Sequence, residues 1–66
     1  MARVVRKDDK WDIAYSDGPT LETIKVTVKH APSGTTRSRI SAGTSKQVKE
    51  SEIELKQYIT DLLEDV

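Results

Sequence analysis

The sequence predicts an α+β fold: an antiparallel sheet of about four strands, arranged as a meander of two hairpins, with one C-terminal helix packed on its apolar face. Three observations carry this reading. Before residue 45 the chain is rich in Val, Ile and Thr and is punctuated by Gly and Pro. After it come Glu, Lys, Gln and Leu, with neither Gly nor Pro. The apolar period also changes along the chain, from two in the segment Thr23 to His30 to the helical 3.6 beyond Leu55.

The first thirty residues read as strands around turns. Arg3 to Lys7 and Trp11 to Ser16 form two strands about Asp8-Asp9, with Trp11, Ile13 and Tyr15 on one face. That turn has no glycine, so both short loop lengths fit and the register of the first hairpin stays open. Asp17-Gly18-Pro19 turns the chain into the third strand. There Ile24, Val26, Val28 and His30 alternate with Thr23, Lys25, Thr27 and Lys29, the pattern of a half-buried strand.

The second hairpin turns at Ala31-Pro32-Ser33-Gly34, with Gly34 placed for a positive φ, and returns through Thr35 to Ala42. Parity selects a three-residue loop. It pairs Val28 with Ser38, Val26 with Ile40 and Ile24 with Ala42, separating an apolar face from a polar one. A two-residue loop, Pro32-Ser33, sets Val28 beside Arg37 and Val26 beside Arg39, mixing core with charge.

The helix has the firmest pattern. Leu55, Tyr58, Ile59, Leu62, Leu63 and Val66 follow the spacing of one helical face, with Ile53 nearly opposite. Two capping boxes compete for its start, Ser51 to Glu54 and Thr44 to Gln47. The earlier one is preferred because it brings Val48 onto the apolar stripe. Residues 1–66 thus make one small domain, with strands within 2–42 and the helix within 45–65.

Composition narrows the function. The chain has 66 residues, no cysteine, one histidine and equal numbers of basic and acidic side chains, 11 of each. Val, Ile and Leu number six, five and four, and Phe is absent, so the core is thin and self-association is an expectation. Lack of cysteine fits a reducing compartment, and no apolar run suits a signal peptide or a membrane span. A cytoplasmic protein without a membrane partner is expected.

Chemistry-bearing patterns are few. Nucleophilic catalysis through a Ser–His pair has only His30 to use, at the turn end of the apolar face. Asp8, Asp9, Asp12 and Asp17 lack calcium-loop spacing, and Gly43-Thr44-Ser45-Lys46 lacks the order of a phosphate loop. No catalytic residue, cofactor, metal or small-molecule substrate is therefore expected.

Charge is segregated along the chain. Residues 1–49 hold ten Lys/Arg against five Asp/Glu, and residues 50–66 hold one Lys against six Asp/Glu. In the three-residue register Lys25, Lys29, Arg37 and Arg39 share the polar face, with Lys29 directly opposite Arg37. Like charges so placed destabilise a sheet unless an anion lies across them. The sequence therefore predicts a non-catalytic nucleic-acid-binding protein that uses Lys25, Lys29, Arg37 and Arg39. The other reading is a protein-interaction module or inhibitor, dimeric or with a protein partner, that uses a strand edge or the acidic helix.

Overall fold

A computed structural model describes the backbone of residues 4–64 and the side chains of residues 8–64. The strands are β1 (Val4–Lys7), β2 (Trp11–Asp17), β3 (Thr23–His30) and β4 (Thr35–Ala42), followed by the helix α1 (Ser45–Glu64). The long strands β2, β3 and β4 form an antiparallel meander, and α1 packs over β3 and β4. The short β1 runs along the outer side of β2, with Val4 opposite Tyr15 and Lys7 opposite Asp12. This pairing fixes the first register, which the sequence leaves open. Arg3 and Val66, assigned above to a strand and to the helical stripe, lie outside the described residues.

Alternation in β2 and β3 builds the helix-facing side of the sheet. Ile13, Val26 and Val28 are fully buried there and meet Leu55 and Ile59 of α1. Trp11, Tyr15, Ile24, Val48 and Leu63 are partly buried around them. Burying a large aliphatic side chain contributes about 1.5–3 kcal/mol, so these few contacts carry much of the stability. His30 ends β3 half-buried, with its ring edge-on to Trp11 at 5.0 Å.

The second hairpin departs from the sequence-based register. His30 pairs with Thr35, Val28 with Arg37, Val26 with Arg39 and Ile24 with Ser41. Four residues, Ala31 to Gly34, form the loop. Gly34 does take the expected left-handed conformation, φ 77°. Its N–H, however, donates to the His30 carbonyl at 2.7 Å, closing a wider turn than a three-residue loop. Ser33 Oγ braces the turn through His30 Nδ1 at 2.9 Å and by donating to Thr35 Oγ1 at 3.1 Å.

The shift of one residue reverses the faces of β4. Ile40, expected in the core, is 51% exposed on the far side, while Arg37, Arg39 and Ser41 face the helix. A terminal strand tolerates this arrangement because long arginine side chains lay their stems on the sheet and carry the charge out past the helix. Ser41 is buried with its hydroxyl satisfied: it donates to the Gln47 carbonyl at 3.1 Å and accepts from Ser51 at 2.9 Å.

The helix begins at the earlier of the two caps. Gln47 N–H donates to Thr44 Oγ1 at 3.3 Å, and Val48 N–H to the Thr44 carbonyl at 3.0 Å. Val48 is half-buried, as that start requires. The buried stripe, however, is narrower than the sequence pattern and rotated from it. It includes Ser51, Glu52, Leu55 and Ile59, while Tyr58 and Leu62 stay 51% and 40% exposed.

Candidate interaction edge

Register decides where each predicted site residue lies. Lys25 and Lys29 alternate with the core residues of β3 and so stand on the sheet face that α1 leaves open, opposite Ile40 and Thr36. Arg37 and Arg39 stand on the helix-facing side, opposite Val28 and Val26. The four cations therefore do not converge on one face, and the opposition of Lys29 to Arg37 is absent. Instead they bracket β4 from its two sides.

The two arginines are engaged by the helix. Arg39 forms an ion pair with Glu54, both side chains more than half exposed. Arg37 lies over the Tyr58 ring at 5.5 Å and donates to the Thr36 carbonyl at 3.1 Å. One row of the helix thus follows β4, with Ser51 at Ser41, Glu54 at Arg39 and Tyr58 at Arg37. Leu62, four residues beyond Tyr58, continues that row. Lys25 and Lys29 are exposed, and among the described residues neither is in an ion pair.

The outer side of β4 closes the sheet order, so among the described residues no strand pairs with it. This edge runs eight residues without proline. Natural edges are commonly shortened, bulged or interrupted by proline, whereas β4 carries charge, at Arg37 and Arg39.

A second constellation was missed by sequence reasoning. Glu52 is 7% exposed, although glutamate is rarely buried without partners. Tyr15 O–H donates to Glu52 Oε2, and Lys56 Nζ lies 3.5 Å from Glu52 Oε1 and 2.7 Å from Asp8 Oδ2. This chain of contacts ties α1 to β2 and to the first turn. A signal was available, since Glu52 falls between Val48 and Leu55 on the same helical face. Its polarity concealed that position.

The only imidazole is held in the turn by Ser33. Among the described residues no group of three or more His, Cys, Asp or Glu side chains is placed to hold a metal ion. No described helix is long and apolar enough to cross a membrane. Comparison with protein-family models, curated proteins and solved structures finds no match for this chain.

Proposed function

We propose that this chain is a small non-catalytic protein-interaction module whose working surface is the outer edge of β4. The observation that carries the reading is an eight-residue terminal strand left unpaired among the described residues. Unpaired strand edges are ready templates for an added strand. The separation of the four cations removes the shared face on which the nucleic-acid reading depended.

A photo-reactive residue placed at Ser38, at the centre of β4, tests this in the cells that make the protein. It is expected to give a discrete protein adduct that the same group at Glu50, on the outer helix, does not. Equal labelling from both positions, or none from Ser38, removes the reading.

Nucleic-acid binding through Lys25, Lys29, Arg37 and Arg39 is the second reading. It is favoured by one observation, the exposure of Lys25 and Lys29 without ion pairs among the described residues. An electrophoretic shift at low salt tests it.

A further inference from the structure

We infer that the β4 edge accepts an extended segment in which apolar and acidic residues alternate, with the apolar side chains toward the helix and the carboxylates toward Lys25 and Lys29. The inference rests on the interaction reading above and names the chemistry of the partner.

Two features beyond the open backbone edge select this occupant. The first is apolar. Tyr58 and Leu62 belong to the apolar stripe of the sequence, yet remain 51% and 40% exposed. They lie on the helix row that follows β4, so the uncovered part of the stripe overhangs the outer strand. An added strand beside β4 brings alternate side chains under that overhang. The helix is, in effect, wide enough for one more strand than it covers.

The second feature is charge. On the open face Lys25 is level with Ile40 and Lys29 with Thr36. A strand added outside β4 lies about 10 Å from β3, two inter-strand spacings away. Lys29 extends across the short Thr36 toward carboxylates on that strand, with Asp12 of β2 opposite it on the other side, and Lys25 extends past Ile40. Arg37 adds positive charge on the helix side, where its described contacts are the Tyr58 ring and the Thr36 carbonyl. A basic segment meets like charge at Lys25, Lys29 and Arg37.

A second copy fits less well. A two-fold pairing of β4 with itself, centred anywhere from Arg37 to Arg39, brings arginine opposite arginine, and like charges in that position destabilise a sheet.

The test uses the full chain, labelled with ¹⁵N, and a capped eight-residue peptide of alternating Asp and Val. Amides of β4 and the Tyr58 ring are expected to shift, while a Lys–Val peptide and an Asp–Val peptide broken by central proline have no effect. Lys25→Glu with Lys29→Glu is expected to weaken binding about tenfold or more, and circular dichroism of this variant reports on folding. Leu62→Lys, at an exposed position, tests the apolar contact separately and is expected to weaken binding as well. Equal binding of the Lys–Val peptide, shifts away from β4, or unchanged affinity in both variants overturns the inference. Sedimentation of the free chain as a dimer through β4, rather than as a 7.4 kDa species, overturns it too. If the Asp–Val peptide fails while Ser38 still labels a partner, the alternation is wrong and the edge reading stands. If both fail, the edge reading falls with it.

Discussion

At the scale of single residues, two positions carry more than their type suggests. Gly34 has φ 77°, a conformation that a Cβ penalises, and open space surrounds the site, so backbone strain is the whole penalty. Gly34→Ala is expected to lower stability by about 1–2 kcal/mol, read as a shift in the urea midpoint. Glu52 is the other. It is a carboxylate under the helix, satisfied by Tyr15 and Lys56. Removing it takes the Glu52 acceptor from Tyr15 and leaves Lys56 its pair with Asp8, so Glu52→Ala is expected to cost about 2 kcal/mol. Glu54, whose ion pair with Arg39 is exposed, provides the contrast. Glu54→Ala is expected to cost less than about 1 kcal/mol, since exposed pairs gain little over solvation. Equal midpoints for the two alanine variants would show that Glu52 is not held as described.

At the scale of elements, the register of β4 makes the sharpest prediction. Ile40→Lys places a charge on the open face opposite Lys25 and is expected to cost no more than about 1 kcal/mol. In the register favoured by sequence, the same lysine enters the core and costs several times that amount. Denaturation midpoints separate the two. Helix boundaries and strand alternation were legible because each depends on local pattern: Thr44 caps, Val48 turns inward, and Val26 and Val28 are buried beside exposed Lys25 and Lys29. Pairing of β4 was not legible. Parity treated arginine as excluded from the helix-facing side, whereas an edge lets the guanidinium escape to Glu54 or Tyr58. The candidate site failed with the register, since the shared face of Lys25, Lys29, Arg37 and Arg39 was a consequence of it. The helical stripe was read too broadly for a related reason: its period gives direction, while its buried width depends on how many strands lie beneath. Ile59→Ala, at a fully buried position, is expected to cost about 2–5 kcal/mol. Tyr58→Ala, at a half-exposed position, is expected to cost less than about 1 kcal/mol.

At the scale of the whole molecule, a net charge of zero conceals a fold that brings opposite ends of the sequence together. The basic sheet region and the acidic helix meet at Arg39 and Glu54, and the order reverses at Lys56 and Asp8, where the helix supplies the cation. Part of the charge that a phosphate backbone would read is thus answered internally. This has a measurable consequence for nucleic acid. Binding through the four cations of the predicted site is expected to be undetectable by electrophoretic shift at about 100 mM salt, because only Lys25 and Lys29 of the four share a face. Each phosphate contact adds roughly 0.9 to the magnitude of the slope of log affinity against log salt on duplex DNA. Lys25 and Lys29 alone therefore limit the slope to about −1.8, whereas four cations acting together give about −3.6. A robust shift with the steeper slope, flattened by Arg37→Glu and Arg39→Glu in a variant that remains folded, would mean that both arginines leave the helix to join the lysines. The cations would then act as one surface, and nucleic-acid binding would displace strand addition as the function of the β4 side.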